Sequence, residues 1–499
     1  MHKLAQLDHA HVWHPFTQMR DWLKREPVVI TAGRGAVLRD VRAREYLDAN
    51  ASIWTNLHGH QHPKINAAIR RQLGKIAHTS ALGLANEPAS LLAAKLVKAV
   101  GRTCDSKGRA ARKSQIVNRQ LNKVFFSDDG STALEVALKL AYEYARRTGR
   151  NPRLKFLSLE GAYHGDTVGA VSLGHIDLFH KSYSRLLFKT DQVMAPYCYR
   201  CPFNRARPER ADAREYRKCH WECVAAVESK FAKQKRTKNA YAGFVFEPSM
   251  QGAAGMIPQP SGWLRRVAEI ARGHGTLLIA DEVMTGFGRT GCSLSRLQAE
   301  SSGGKPPEGG TTNALFACHH EGVQPDFLCL AKGLTGGYLP MAATLTTQKV
   351  FDAFLGEYEE YKTFFHGHSY TANQLGAAAA LASLDILQGK TSARARLNLE
   401  RILHGELPML WSLPNVGDIR QVGLMAGIEL VRDWRTRAPF DLRERAGIRV
   451  CEAMARRGVL TRPVGNVIVL MPPYCTTPVQ VRSMVRAVFI SVREVFGKL

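Results

Sequence analysis

A carboxylate pair and a lysine each follow a short apolar run in the second half of the chain. Asp281 comes directly after the run 277–280, and Glu282 is next to it. Lys332 lies two residues after a second run, 327–330. Open parallel sheets place ligands at such positions, the carboxyl ends of strands. Pyridoxal phosphate needs a lysine amine for a Schiff base and an acidic partner for its pyridine nitrogen. The pairing therefore predicts a pyridoxal phosphate site, with Lys332 as the Schiff-base lysine and Asp281 as the acidic partner.

Glycines follow Lys332 at Gly333, Gly336 and Gly337. A residue without a side chain leaves room for backbone to approach a bulky ligand closely. Taken alone, however, a lysine after a strand is more often a solvated surface residue. The cofactor prediction therefore depends on the other motifs of the chain.

Two further segments contain residues suited to the same cofactor. Gly130 and Ser131 lie between a predicted strand and a predicted helix, where backbone amides can bind a phosphate. An ordinary helix cap has the same composition, so this segment alone does not identify a phosphate site. Tyr163 follows another predicted strand, and its ring could stack on a heterocycle, although a core or surface tyrosine is the alternative. The two segments point to the same prediction as Lys332.

These motifs lie in an alternation of strand-like runs and helical patterns from about residue 124 to 341. Such alternation is typical of a mainly parallel sheet wrapped by helices, the α/β class. Apolar residues at three- and four-residue spacing predict a helix over 132–147. The predicted strands before it and after it are 124–126, 155–158, 243–246 and 277–280.

We expect a large cofactor-binding domain and a smaller α+β domain built from both termini. Residues 61–380 are assigned to the large domain, whereas 1–60 and 381–499, with a strand at 467–470, are assigned to the small one. Two segments within the large domain are predicted to be insertions. One is the basic stretch 102–122, and the other is 299–312, which is rich in Ser, Gly, Pro and Thr.

Composition and charge limit the classes of function. The chain has 499 residues, 45% of them hydrophobic, which suits a large buried core. No apolar run is long enough to cross a bilayer, and the N-terminus lacks the apolar core of a signal peptide, so we expect a cytoplasmic enzyme without membrane contact. The formal net charge of +26 raises the question of nucleic acid. The basic clusters contain no interleaved aromatic platform and no recognisable reader motif, so we expect no specific nucleic-acid partner.

Taken together, the motifs resemble those of the class III aminotransferases, which are fold type I pyridoxal phosphate enzymes. The matching segments are 130–131, 161–167, 247–248, 281–282, 286–291 and 332–337. Segments near both ends are similar to the 7,8-diaminononanoate synthases of biotin biosynthesis, which transfer an amino group to 8-amino-7-oxononanoate. These segments are 11–19, 417–420, 461–463 and 471–474.

The resemblance implies a role for each matching residue. Lys332 would bind the cofactor and then move protons between substrate and cofactor. Asp281 would pair with the pyridine nitrogen. Gly130 and Ser131 would bind the phosphate, and Tyr163 would pack near the ring and the substrate.

The substrate pocket is implied in the same way. Arg462 matches an arginine that holds the substrate carboxylate, a task suited to a planar bidentate donor. Trp54 matches an aromatic wall of the pocket, and Phe16 belongs to the matching N-terminal motif.

A subunit contact follows from the segment 366–369. In the family it resembles, this segment reaches across a dimer to the phosphate of the neighbouring subunit. The resemblance therefore implies a homodimer with shared active sites, in which His368 and Ser369 contact the cofactor and Gly367 contacts the substrate.

The amino donor is open between lysine and S-adenosylmethionine. Members that use S-adenosylmethionine usually have tyrosine in place of Phe16, a second tryptophan in place of Ile53, and Gly-Pro-Thr in place of residues 367–369. An adenine or a sulfonium gains from aromatic faces, so these departures favour lysine. A broad ω-amino acid or diamine transaminase is the alternative within the class. A pyridoxal phosphate-binding regulator or nucleic-acid binder is a remote alternative.

Cysteines form one further cluster, at Cys198, Cys201, Cys219 and Cys223. Their spacing is close to that of a four-thiolate zinc site. Related aminotransferases often carry similar cysteines, and the chemistry needs no metal. We therefore predict no catalytic metal, with a structural zinc ion as the alternative.

Overall fold

The structure, a computed structural model, describes residues 1–101, 120–149, 154–236, 240–291 and 314–497. The strands are, in chain order, β1 (Ile30–Arg34), β2 (Val37–Asp40), β3 (Glu45–Asp48), β4 (Leu121–Ser127), β5 (Leu154–Leu159), β6 (Asp191–Val193), β7 (Ala240–Phe246), β8 (Met250–Gln251), β9 (Ile257–Pro258), β10 (Leu277–Asp281), β11 (Phe327–Leu330), β12 (Ala342–Thr347), β13 (Val416–Val422), β14 (Met425–Asp433), β15 (Ala438–Pro439), β16 (Val459–Leu460), β17 (Pro463–Val464) and β18 (Val467–Leu470).

The α-helices span Lys3–His11, Met19–Trp22, Pro63–Leu73, Glu87–Val100, Gly130–Arg147, Val168–Leu173, Asp177–His180, Ala213–Tyr216, Glu222–Arg236, Trp263–Gly273, Gln348–Asp352, Gln374–Gln388, Lys390–Glu406, Ala446–Arg456 and Pro478–Phe496. Short 3₁₀ helices span Lys181–Tyr183, Ala317–Glu321, Lys332–Thr335, Tyr358–Glu360, Leu407–Ser412 and Leu442–Glu444. Residues Ala51–Trp54 form a separate single turn. Among the described residues, no helix is long and apolar enough to cross a membrane.

A seven-stranded sheet has the order β4-β12-β11-β10-β7-β5-β6. Strands β11, β10, β7, β5 and β6 pair in parallel, whereas β12 is antiparallel to both of its neighbours. The predicted strands at 124–126, 155–158, 243–246 and 277–280 lie within β4, β5, β7 and β10. The predicted α/β class with a mainly parallel sheet is confirmed.

The central strands are buried on both faces. Every residue of β10 and β11 is buried, as expected for parallel strands covered on both sides. Because side chains alternate along a strand, Leu278 packs into one hydrophobic cluster, while Leu277 and Ile279 pack into a second that includes the helix Gly130–Arg147. The apolar runs of the sequence form the core of the sheet for this reason.

The parallel strands also bring distant residues to one edge. The carboxyl ends of β5, β7, β10 and β11 lie side by side at that edge. The positions at or just after these ends are occupied by Tyr163, Glu247, Asp281 and Lys332.

The helix predicted over 132–147 begins two residues earlier, at Gly130. Asp129 is its N-cap, and the Asp129 carboxylate accepts a hydrogen bond from the Thr132 amide at 2.9 Å. The Thr132 hydroxyl in turn accepts from the Asp129 amide, completing a capping box. The prediction placed the start of the helix too late, because the apolar spacing on which it was based begins only after the first turn.

The predicted insertion 102–122 is too long at its end. Strand β4 begins at Leu121, which is buried and pairs with Thr347 of β12. Pairing with a distant strand gives 121–122 an extended conformation that their local sequence did not indicate. The rest of this insertion, 102–119, and the whole of the insertion predicted at 299–312 lie outside the described residues.

Two other sheets contain strands from near the ends of the chain. In the sheet β1-β2-β3-β16, the parallel pairing of β16 with β3 joins residues 459–460 to the N-terminal strands. The strand predicted at 467–470 is β18, which lies between β14 and β17. The domain boundaries at residues 60 and 380 stay predictions.

The turn after β11 packs against the backbone of Asn56. Gly337 has a φ of +82°, and a Cβ atom added there would lie 2.8 Å from the backbone nitrogen and Cα of Asn56. The backbone of Asn56 cannot move aside at low energetic cost, as the end of a flexible side chain could. Glycine is therefore required at this position by both conformation and space.

We expect Gly337→Ala to destabilise the protein by roughly 1–3 kcal/mol, because it combines a strained φ with a backbone contact. Gly273→Ala is the control, since nothing beyond its chain neighbours and its own helix backbone lies within 4 Å of a Cβ at Gly273. Thermal unfolding measures both variants. A melting temperature of Gly337→Ala equal to that of the wild type would contradict the prediction.

Candidate active site

Lys332 lies in a strained and crowded turn. It opens the 3₁₀ helix Lys332–Thr335 with a φ of +44°, a value that residues with side chains rarely adopt. Strain of this kind is concentrated at functional sites. A Cβ atom on the next residue, Gly333, would lie 2.9 Å from Leu57 Cδ1 and 3.1 Å from Phe287 Cδ2. The surrounding side chains therefore hold the Lys332 backbone closely.

The Lys332 amine faces an aromatic ring. Its Nζ atom lies 4.6 Å from the centre of the Trp54 ring. Burial lowers the pKa of Lys332 below its ordinary value, although the nearby charges of Asp281 and Glu247 oppose this shift. The side chain keeps some exposure to solvent. A lysine with a lowered pKa has more of the neutral, nucleophilic amine near neutral pH.

Asp281 is buried and held by hydrogen bonds. Its Oδ2 atom lies 2.7 Å from Nδ1 of His164, and its Oδ1 accepts from the Val283 amide at 3.0 Å. His164 is buried too, and its Nε2 atom has no hydrogen-bond partner in the described part of the chain. These two contacts fix the orientation of the carboxyl group at the end of β10. Sequence reasoning did not single out His164.

Glu247 is a second buried carboxyl group at this edge. Its Oε2 accepts from the Gly252 amide at 2.8 Å, while Oε1 has no partner among the described residues. Burial raises the pKa of Glu247 to about 7; His164 lowers it and Asp281 raises it further. The sequence analysis named Glu247 only as part of the segment 247–248 that matches the class III aminotransferases. Its position at the end of an apolar strand was the signal that could have marked it as a candidate.

The N-terminus of the helix Gly130–Arg147 lies beside the end of β10. A Cβ atom at Gly130 would lie 2.7 Å from Val283 Cγ1, so only glycine fits there. Ser131 Oγ lies 2.7 Å from Thr167 Oγ1 and accepts from the Thr167 amide at 3.0 Å. Backbone amides at the start of an 18-residue helix suit an anion such as a phosphate.

Tyr163 lies between this edge of the sheet and two exposed residues, Phe16 and Arg462, which form the rim of the site. Its hydroxyl donates to Asp166 at 2.6 Å, and its ring centre lies 6.4 Å from that of Phe16 in an edge-on arrangement. Arg462 Nη2 lies 3.4 Å from the carbonyl oxygen of Phe16 as a hydrogen-bond donor. Phe16 and Arg462 are both exposed, which places the guanidinium at the rim.

The segment 366–369 approaches the same helix N-terminus. His368 Nδ1 lies 2.9 Å from Asp128 Oδ2, two residues before Gly130. The carbonyl oxygen of Ser369 lies 2.8 Å from Nε2 of His78. Gly367 has open space around the position of a Cβ atom. These contacts lie within one chain, and the shared site of a dimer stays a prediction.

The four cysteines of the cluster line a separate pocket, which contains none of the residues described above. Cys198, Cys201, Cys219 and Cys223 are free thiols that line this pocket together with Arg217. Burial raises the pKa of Cys198 to about 12 and that of Cys223 to about 11. Across the described ranges, no group of three or more His, Cys, Asp or Glu side chains is placed to hold a metal ion. Whether these four thiols bind zinc stays a prediction.

The residues predicted from the sequence thus occupy one edge of the sheet and its rim. Their chemistry fits pyridoxal phosphate, because a helix N-terminus, a buried carboxylate and a lysine amine occur together with aromatic rings. The fitting residues are Gly130, Ser131, Tyr163, Asp281, Lys332 and Trp54, with Phe16 and Arg462 at the rim.

Two relatives of similar sequence carry the same name. A protein of Geobacter sulfurreducens named adenosylmethionine-8-amino-7-oxononanoate aminotransferase is 44% identical, over 99% of this chain and 98% of its own length. A protein of Nitratidesulfovibrio vulgaris with the same name is 46% identical, over 97% of this chain and 81% of its own length.

Solved structures are similar as well. The Methanocaldococcus jannaschii enzyme of that name superposes with a TM-score of 0.84 at 37% identity, over 99% of both chains. An amine transaminase from an uncultivated Pseudomonas species, solved with pyridoxal phosphate bound, gives a TM-score of 0.81 at 31% identity, over 97% of this chain and 98% of its own.

The family described as aminotransferase class-III matches residues 19–306 and 308–489, which is most of the chain. The fold type I architecture and the cofactor predicted from the sequence are confirmed by this match and by the similar structures. The chain belongs to the class III aminotransferases, and its cofactor is pyridoxal phosphate.

Proposed function

We propose that this enzyme transfers an amino group to 8-amino-7-oxononanoate, giving 7,8-diaminononanoate in biotin biosynthesis. The observation that carries the proposal is the placement of the Lys332 amine against Trp54, where burial lowers its pKa and the charge of Asp281 opposes that shift. Near-full-length relatives at 44% and 46% identity are named for this substrate, which supports the same reaction here. A biosynthetic enzyme of this kind would work in the cytoplasm.

Each cofactor-binding residue has a distinct task in the proposal. Gly130 and Ser131 bind the phosphate at the helix N-terminus. Asp281, oriented by His164, pairs with the pyridine nitrogen and keeps it protonated. Tyr163 packs at the ring. When bound, pyridoxal phosphate supplies the electron sink that stabilises negative charge on the substrate carbon.

Lys332 has two tasks. Its amine would hold the cofactor covalently, and the same amine would move a proton at the reacting carbon of the substrate. Burial suits both tasks, because it lowers the pKa of the amine and so favours the neutral form.

The substrate lies between the rim and the lysine. Arg462 binds the carboxylate of the oxononanoate, since a guanidinium can donate two parallel hydrogen bonds to it. Trp54 and Phe16 provide apolar walls for the methylene chain. Gly367 leaves space for the substrate to enter.

We propose lysine as the amino donor. Ile53 is exposed next to Trp54 and lacks the aromatic face that an adenine or a sulfonium would use. Phe16 lacks a hydroxyl group that could bond a nucleoside. The names of the relatives specify adenosylmethionine, so S-adenosylmethionine is the alternative donor.

We also propose a homodimer with shared sites. Phe365 and Tyr370, which flank the segment 366–369, are exposed at 71% and 62%, and Leu82, four residues after the His78 that contacts Ser369, is exposed at 92%. Exposed apolar groups of this size mark interaction surfaces. A second copy covering them would place His368 and Ser369 near the phosphate site of its partner.

We expect Lys332→Ala to abolish turnover and to remove the absorbance band of the lysine-bound cofactor, while the circular dichroism spectrum stays unchanged. The physical reason is the loss of the only atom that binds the cofactor covalently in the proposal. Lys349→Ala, at an exposed lysine, is the control and should behave as the wild type. Near-wild-type transamination by Lys332→Ala would refute the role.

Arg462→Ala should weaken binding of the oxononanoate far more than it slows the half-reaction with the donor. A hydrogen bond to a charged group contributes roughly 1.5–3 kcal/mol, which corresponds to about a ten- to hundredfold loss of affinity. Half-reaction kinetics with each substrate measure the two effects separately. Arg443→Ala, at another exposed arginine, is the control. Equal damage to both half-reactions would show that Arg462 has another role.

The donor can be decided by following the cofactor absorbance after adding one amine at a time. We expect lysine to convert the cofactor to its amino form, S-adenosylmethionine to do so poorly, and β-alanine and putrescine to be weak donors. Conversion by S-adenosylmethionine alone would refute the donor and leave the acceptor unaffected. Rapid conversion by β-alanine or putrescine without amination of the oxononanoate would favour the broad ω-transaminase instead.

A further inference from the structure

The residues Ala51–Trp54 form a left-handed turn. Their φ angles are +44°, +49°, +60° and +69°, and ψ is +53° at Ser52 and +56° at Ile53. The Trp54 amide donates to the carbonyl of Asn50 at 2.9 Å, and the Thr55 amide donates to that of Ala51 at 2.9 Å. Residues with side chains visit this conformation singly and unfavourably, so four in succession require support from outside the turn.

Asp48 supplies that support. Its Oδ1 accepts from the Ser52 amide at 2.9 Å, and its Oδ2 accepts from the Ser52 hydroxyl at 2.8 Å. Both bonds reach the second residue of the turn. Asp48 is buried, and although burial alone would raise its pKa, the bonds from His60 and Ser52 lower it. The carboxylate is therefore charged where it meets the turn.

His60 fixes Asp48 from the other side. Its Nε2 atom lies 3.1 Å from Asp48 Oδ2, and its Nδ1 atom lies 3.0 Å from the side-chain nitrogen of Asn56. The backbone of His60 is held by two hydrogen bonds with Gly35, at 2.8 and 3.0 Å. The carboxylate is thus held between a left-handed turn and an anchored imidazole.

The last residue of the turn is Trp54, whose ring faces Lys332. Its Nε1 donates to Asn50 Oδ1 at 2.8 Å, and Lys332 Nζ lies 4.6 Å from the ring centre. If the turn relaxed to right-handed geometry, the Cα–Cβ direction at Trp54 would change and the ring would leave the amine. The conformation of Ser52 is therefore linked to the surroundings of Lys332.

We propose that Asp48, with His60, is a positioning residue that holds the left-handed turn and thereby sets the placement of Trp54 against the reacting amine. This inference rests on the proposed role of Lys332. It does not depend on which amino donor or acceptor the enzyme uses.

Glycine provides a direct test, because it adopts positive φ without a steric penalty. If Asp48 acts by holding the turn, Ser52→Gly should compensate for the loss of Asp48. If Asp48 acts in any other way, glycine at residue 52 should not help.

The experiment compares holoenzymes carrying Asp48→Asn, Ser52→Gly, both changes, or Asp40→Asn. Asp40 is the matched control, because it is equally buried and its carboxylate likewise accepts backbone hydrogen bonds in the same part of the chain, from the amides of Arg42 and Arg44. Two quantities are measured: the rate at which an amine donor converts the cofactor in a single turnover, and the pH midpoint of the cofactor absorbance band. The melting temperature of each cofactor-free variant reports stability separately.

We expect Asp48→Asn to slow the single-turnover rate about tenfold or more, since small misplacements at a reacting centre have effects of this size. It should also shift the midpoint of the band. The double variant should recover most of both changes, whereas Asp40→Asn should lower only the melting temperature.

Unchanged kinetics and spectrum in Asp48→Asn would overturn the proposal, as would a double variant no better than Asp48→Asn. If Asp48→Asn does not fold alone, the double variant and His60→Gln are compared in the same assays, with the same two outcomes. A wild-type enzyme that shows the lysine-bound band but does not aminate the oxononanoate would refute the proposed function and leave the positioning role standing.

Discussion

Burial of charged groups at one edge of the central sheet is the constraint on which the rest of the site depends. A charge removed from water is unfavourable unless an opposite charge or hydrogen bonds accompany it. Asp281 has His164 and the Val283 amide, and Asp281 and Glu247 both oppose the lowering of the pKa of Lys332. These groups can lie together because parallel strands end side by side. The same burial lowers the pKa of the Lys332 amine, which favours its neutral form.

The backbone near Lys332 departs from ordinary geometry at several points, and each departure is stabilised by its surroundings. Lys332 has a positive φ, and Gly333 and Gly337 pack against Leu57 and the backbone of Asn56. The turn Ala51–Trp54 needs the Asp48 carboxylate. A large, close-packed core can hold such local strain, because relaxing one turn would disturb many contacts.

Two further buried groups connect this edge to the rest of the molecule. Glu282 accepts from the amides of Ala317 and Cys318 at 2.6 and 2.9 Å, which fixes the short helix before β11. Arg289 donates to the carbonyl oxygens of Pro472 and Asn56 at 2.7 and 3.0 Å, and so joins the C-terminal and N-terminal segments. Burial raises the pKa of Glu282 to about 7 and lowers that of Arg289. Both groups are structural, since their hydrogen bonds to backbone account for their placement.

The sequence by itself determined the central strands and the positions of Asp281 and Lys332. Apolar runs and the residues just after them are local features, and parallel strands bring their ends together whatever the chain does between them. It did not determine the start of β4 at Leu121, which depends on pairing with Thr347. Only the tertiary structure decided that His164 meets Asp281 across 117 residues, and that residues 51–54 are left-handed. A contact between side chains that are distant in sequence leaves no periodic pattern in that sequence. The left-handed turn contains no glycine, so its sequence does not indicate positive φ angles, and the hydrogen bonds that hold it are visible only in the tertiary structure.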